Sequence, residues 1–295
     1  MSDFVLSCCT TVDTNHTWAE KRNLRVIPFH FQIGEDHYDD DFWSEMKPEE
    51  MYARMLDGED SKTSQVSAGE YVTHFKKHLE AGKDILHLTL SSGISGTINS
   101  ALVAAEDLRE EFPERKIYIV DSLAASSGFG LLMDMLATLR DEGKTIDEVR
   151  DFALQHRLNV NHWFFTTDLT FFIKGGRVSK TAGFFGNLLN ICPLLNVDFK
   201  GRLIPREKIR TKKKVIQRVV EKMEELAEGG LEYDKPCYIS QSACPADAEA
   251  VKALIEERFP KMKGKVEIFP IGPTIGAHTG PGTVALFFWG QERVD

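Results

Sequence analysis

Apolar positions in the first half of the chain fall into short runs that alternate with helical stripes. The run FVLSCC at 4–9 reads as a strand ending in small and polar residues. LRVIPFHFQI at 24–33 reads as one or two strands interrupted at Pro28, which has no N–H to give a ladder. PEEMYARMLD at 48–57 opens with a proline in a first-turn position and two acids, as a helix N-terminus favours. Tyr71, Phe75 and Leu79 recur at helical spacing over 68–82, and Gly82 stops them. DILHLTL at 84–90 is a buried-type strand. A helix over 97–112 follows, with Ile98, Leu102, Ala105 and Leu108 on one stripe and Pro113 at its end. A strand at 116–121 and helices at 124–143 and 145–159 complete the series, the last opened by Thr145 and Glu148 as a capping box. Strands alternating with helices predict a mostly parallel sheet with helices on both faces, whose ligands bind at the carboxyl ends of the strands.

The pattern changes near residue 160, where a domain boundary is placed: residues 1–160 as an N-terminal α/β domain and 161–295 as a C-terminal α/β domain with a mixed sheet. Aromatic doublets stand at Phe164-Phe165, Phe171-Phe172 and Phe184-Phe185. Successive side chains of a strand point to opposite faces, so each doublet in a strand sends one ring away from the other and leaves some free to line a cavity. PLLNVDFKGRLIP reads as a hairpin turning near Lys200-Gly201, followed by a helix at 211–228 and the strand CYISQ. A helix at 245–259, the strand KVEIFPI, the loop GPTIGAHTGPG and a last strand TVALFFW complete the chain.

Composition narrows the function. Of 295 residues, 42% are hydrophobic and 27% charged, enough for a full core. No apolar run is long enough to span a membrane, and MSDFVLSCCTTVD has no basic region leading into a long apolar stretch, so a cytoplasmic protein with at most transient membrane contact is expected. Five scattered cysteines fit a reducing compartment. A formal net charge of −9 argues against nucleic-acid binding.

The densest candidate chemistry is SSGISGT at 91–97, where a strand hands over to a helix. A helix N-terminus presents unpaired N–H groups, glycines admit an anion to the backbone, and hydroxyls add donors. The plainer reading is a cap, with Ser95 or Thr97 closing the helix. The order Ser95, Asp121, His278 matches that of an α/β-hydrolase triad, but Thr97 stands where the elbow motif needs a second glycine. No phosphate-loop lysine follows either, so no nucleotide cofactor is expected. Arg177 after two glycines suits an anion or an exposed loop, and His278 sits among glycines and prolines in a specialised loop. Cys237 and Cys244 lack paired histidines, so no metal site is expected.

Five segments in series, TSQVS (63–67), LTLSSGISGTINSA (88–101), VDSLAASSGFG (120–130), FFIKGGRVSKTAGFFGNLLNICPLLNVDFKGRL (171–203) and IGAHTGPGTVALFF (275–288), resemble the DegV family of bacterial fatty-acid-binding proteins over nearly the whole chain. The resemblance implies two α/β domains with one long-chain fatty acid between them, such as palmitate, stearate or oleate. It implies a carrier without catalysis of its own, which presents the carboxylate to a separate ATP-dependent fatty acid kinase. The acyl phosphate so formed would feed phospholipid synthesis. Thr63, Ser64, Ser92, Ser95, Gly96 and Thr97 would bind the carboxylate, with Arg177, His278 and Thr10 around the head group. Phe184, Phe185, Leu188, Leu189 and Ile191 would line the acyl tunnel. Two positions depart from the family pattern: Cys9 replaces an acidic residue before Thr10-Thr11, and Val66 replaces a proline. A serine-dependent hydrolase or phosphotransfer enzyme using Ser95 or His278, and a lipid-binding sensor without a kinase, stay open as alternatives.

Overall fold

The computed structural model describes residues 4–179 and 191–294. The first half builds an all-parallel sheet from β1 (Phe4–Cys9), β2 (Arg25–Ile27), β6 (Asp84–Thr89) and β7 (Ile117–Asp121), in the order β2-β1-β6-β7. Side-chain alternation assigns each residue to a face. Cys9, Ile85 and Ile117 pack against α3 (Ala68–Glu80) and α4 (Thr97–Glu111), whereas Leu6, Leu86, Leu88 and Val120 face α1 (His16–Lys21), α5 (Ser126–Asp141) and α6 (Ile146–His156). A fully buried ring such as Phe75 on α3 contributes about 1.5–3 kcal/mol relative to an exposed one.

The second half builds a mixed six-stranded sheet from β8 (Val160–Phe165), β9 (Ile191–Val197), β10 (Leu203–Arg210), β11 (Cys237–Gln241), β12 (Val266–Pro270) and β13 (Val284–Trp289). The order is β10-β9-β8-β13-β11-β12, and only β11 and β12 run parallel. Helices α8 (Lys212–Leu226) and α9 (Pro245–Arg258) cover its outer face. The inner face meets α5, so this one helix is enclosed by both halves, which explains why apolar residues run all round it. The two α/β halves therefore share a continuous core.

A third, antiparallel sheet orders β4 (Asp36–Asp39), β3 (His30–Ile33) and β5 (Ser61–Ser64). It carries α2 (Pro48–Leu56) and meets α10 (Pro273–Thr279); α7 (Thr170–Lys174) packs beside α10. One local reading is refined here, one strand appears that the pattern did not announce, and one loop becomes a helix. Pro28 does divide 24–33, but β2 and β3 join different sheets, and the Phe29 N–H after the proline donates to Thr10 Oγ1 (3.1 Å). The polar segment at 61–64 is a strand, held by its backbone ladder to β3 rather than by an apolar face. The segment expected as the loop GPTIGAHTGPG contains α10, with Pro273 in its first turn and Gly280 ending it at φ 64°. The 193–205 hairpin forms as expected, with Gly201 in the left-handed region at its turn (φ 71°). Among the described residues no helix is long and apolar enough to cross a membrane.

Candidate functional site

A cavity of about 570 Å³ lies where the parallel sheet, the mixed sheet and the small sheet meet, in the range typical of small-molecule pockets. Its polar side is assembled from four places: Thr63, Ser64 and Gln65 at the end of β5, Ser95 and Gly96 before α4, Arg177 after α7, and His278 on α10. Its remaining walls are largely apolar. Phe29, Leu90 and Ile94 come from the first half, and Phe164, Phe172, Val197, Leu203, Ile275, Ala285 and Phe287 from the second. Each described aromatic doublet splits: Phe164 and Phe172 face the cavity, while Phe165 and Phe171 do not.

The hydrogen bonds fix protonation at the polar side. His278 Nε2 and Thr63 Oγ1 are 2.7 Å apart, and Arg177 Nη1 stands 3.4 Å from His278 Nδ1. A guanidinium can only donate, so Nδ1 accepts and Nε2–H donates to Thr63. The Thr63 hydroxyl proton is then free for an acceptor in the cavity. Burial, with the nearby Arg177 charge second, pushes His278 down to about 4, so the imidazole is neutral near pH 7. Arg177 is half-buried, its pKa lowered by desolvation, and its Nη1 donates to the Gly175 carbonyl (2.5 Å). Among the described residues no carboxylate pairs with it. Gly175 is needed here, because a Cβ would collide with His278 Nδ1.

Ser95 Oγ accepts from the Thr97 N–H at 3.3 Å, and its own proton remains available to a ligand. Gly96 is the N-cap of α4 and has no side chain with which to cap it. Together, Thr63, Ser95, the open helix terminus and a guanidinium with no carboxylate partner among the described residues form a donor-rich mouth on an apolar cavity. Such a mouth suits a carboxylate whose attached chain is hydrocarbon.

Other positions singled out from the sequence lie elsewhere. Ser92 is exposed and outside the lining; its N–H donates to Asp121 Oδ1 (3.1 Å). Thr97 is buried behind the cavity wall, its hydroxyl 2.9 Å from Tyr71 OH. Thr10 holds the Phe29 N–H and Cys9 is buried against Tyr71 OH (3.2 Å), so neither lines the cavity. Ile191 begins β9, at the end of the hairpin away from the lining pair Val197 and Leu203. Phe184, Phe185, Leu188 and Leu189 lie outside the described residues. Asp121 Oδ1 is taken by the Ser92 and Leu123 N–H groups, and no hydrogen bond links Ser95 to His278 among the described residues. Nor, among them, do three His, Cys, Asp or Glu side chains gather as metal ligands.

Comparison with known proteins places this geometry in context. A family model described as an uncharacterised protein of the DegV family matches residues 10–291. A DegV domain-containing protein of Clostridium perfringens is 33% identical over 293 residues, covering 99% of both chains. A protein of Thermotoga maritima named as a fatty acid-binding protein is 34% identical, covering 96% of each. The solved structure of a DegV family protein from Thermus thermophilus, described by its fatty acid binding, superposes with a TM-score of 0.86 at 26% identity, over 99% of this chain and 100% of that one.

Proposed function

The chain belongs to the DegV family, and from that premise we propose that it holds one long-chain fatty acid, such as palmitate, stearate or oleate, with the acyl chain in the cavity and the carboxylate at the mouth. The observation that carries this reading is the pairing, in one cavity, of apolar walls with the Thr63–His278–Arg177 cluster and Ser95. Thr63 and Ser95 each keep a proton to donate, and Arg177 supplies a charge with no carboxylate partner among the described residues. Burying sixteen or so carbons at about 0.8 kcal/mol per methylene gives roughly 10 kcal/mol before ordering costs. A ligand so held survives purification.

The protein then acts as a carrier with no chemistry of its own. It presents the carboxylate to a separate ATP-dependent fatty acid kinase, and the acyl phosphate formed feeds phospholipid synthesis. The mouth's donors serve both forms, because an acyl phosphate needs charge-assisted donors as much as the carboxylate does. Mass spectrometry of the protein purified from bacteria, first native and then denatured, tests the ligand. One long-chain fatty acid per chain, released on denaturation, is expected; a polar metabolite, or nothing after growth with added fatty acid, overturns the reading.

A further inference from the structure

Thr97, Tyr71 and Cys9 lie outside the cavity, yet they belong to a hydrogen-bonded chain that ends on one of its donors. Thr97 is the first residue of α4 and faces two ways. Its N–H donates to Ser95 Oγ (3.3 Å), and its hydroxyl oxygen lies 2.9 Å from Tyr71 OH. Tyr71 OH is in turn 3.2 Å from Cys9 Sγ. Behind the thiol stands His87, its Nε2 3.9 Å away. His87 Nδ1 is 2.9 Å from Ser7 Oγ, which is 2.9 Å from His74 Nε2. The chain therefore leads from the cavity wall through α4 and α3 into β1 and β6.

All six side chains are buried, among apolar neighbours such as Phe75, Ile85 and Ala101. Apolar side chains of the same shape could fill this space at little or no cost in stability, so stability alone does not account for the chain. Each member finds a partner within it, and a fully paired buried network is rigid. What it holds rigid is the start of α4. Tyr71 fixes the Thr97 hydroxyl from behind, and the Thr97 N–H occupies a lone pair of Ser95, leaving the Ser95 proton for the cavity.

We propose that Tyr71 is a positioning residue for carboxylate recognition: through Thr97 it sets the start of α4, and with it the direction of the Ser95 hydroxyl. This rests on the fatty-acid reading above and extends it to residues that never touch the ligand. The Tyr71 hydroxyl acts on the head group alone. Walls that hold the acyl chain, such as Phe164, Phe172 and Phe287, stand on β8, α7 and β13, which the chain does not enter. Loss of that hydroxyl is therefore felt by a carboxylate and not by a hydrocarbon tail.

The test compares palmitate with hexadecanol, the same chain without the anionic head, by displacement of a fluorescent fatty acid from the full-length, delipidated protein. Tyr71→Phe keeps the ring and removes only the hydroxyl. It should weaken palmitate about fivefold and leave hexadecanol within about twofold. Thr97→Val should do the same, and the double substitution should be no worse than either alone, because both break one chain. Thr97→Ser keeps a hydroxyl and should retain the wild-type preference. If both ligands weaken together in the two single variants, are both lost, or do not change, the role is structural only and the proposal fails while fatty acid binding stands. Losses that add in the double variant overturn it as well. If palmitate does not bind the unsubstituted protein, the fatty-acid reading fails instead.

Discussion

At the scale of single residues the mouth is governed by one constraint: the Arg177 guanidinium forces His278 Nδ1 to accept. Everything downstream follows, from the Nε2–H donated to Thr63 to the free proton on the Thr63 hydroxyl. Arg177 also helps keep His278 neutral, although burial is the larger cause of its low pKa. Arg177→Ala should therefore move His278 up from about 4 toward the ordinary histidine value without reaching it, because the burial remains. Titration of the His278 ring protons by NMR checks this, and an unmoved or lowered value refutes the contribution of the Arg177 charge. The departures from the family pattern are settled at this scale as well. Cys9 does not line the cavity; burial pushes its thiol up to about 12, and it packs against Tyr71. Val66 is fully buried in the core beneath α3 and α4.

At the scale of elements the SSGISGT loop owes its position to a backbone contact between the two halves. Ser91 Oγ donates to the Gly201 carbonyl (2.8 Å), and a Cβ on Gly93 would lie 2.5 Å from the carbonyl oxygens of both Lys200 and Gly201. Those neighbours are backbone and cannot swing aside. Gly93→Ala should thus push the β9–β10 turn off the loop, lowering stability by about 1–3 kcal/mol, readable as a reduced urea midpoint with an unchanged slope. An unaltered midpoint would mean that the turn is not seated on the loop. The loop itself was legible in the sequence, because small polar residues between an apolar strand and an amphipathic stripe announce a helix start. β5 was not: its residues 61–64 are polar on both faces, and only the long-range ladder to β3 makes them a strand. α10 was read as a loop because glycines at 272, 276 and 280 masked seven helical residues, yet Pro273 at the start and Gly280 at the end were usable signals. The apolar lining from β8 and β13 was hidden for a different reason. Both faces of these strands are buried, so alternation cannot tell cavity from core.

At the scale of the whole molecule, titratable groups are buried at the junctions between layers, and their signs oppose one another. His74 is pushed by burial down to about 3 and His78 and His278 to about 4, while His87 and His162 lie well below the ordinary value. Each contributes stability that is present above the unfolded value near 6.5 and is lost as pH falls toward the native one. Asp40, raised by burial to about 6, and Asp13, raised well above its ordinary value, act the other way: the native state takes their protons before the unfolded chain does. Near pH 5.5 the unfolded chain gains roughly five protons on these histidines, while the native state alone holds roughly two on Asp40 and Asp13 and a further share on Asp134 and Glu267, whose carboxyls burial also raises, a net of roughly two. Stability should therefore fall by about 2–3 kcal/mol for each pH unit below 6, measured as urea midpoints between pH 7.5 and 5. A flat or rising profile would show that the histidines are not buried in their neutral form. Asp40 Oδ2 accepts the Thr274 N–H at the start of α10, and an amide oxygen can accept it too. Asp40→Asn should consequently keep the helix seated, remove one compensating proton and steepen the decline; a shallower one would mean that Asp40 is ionised in the native protein.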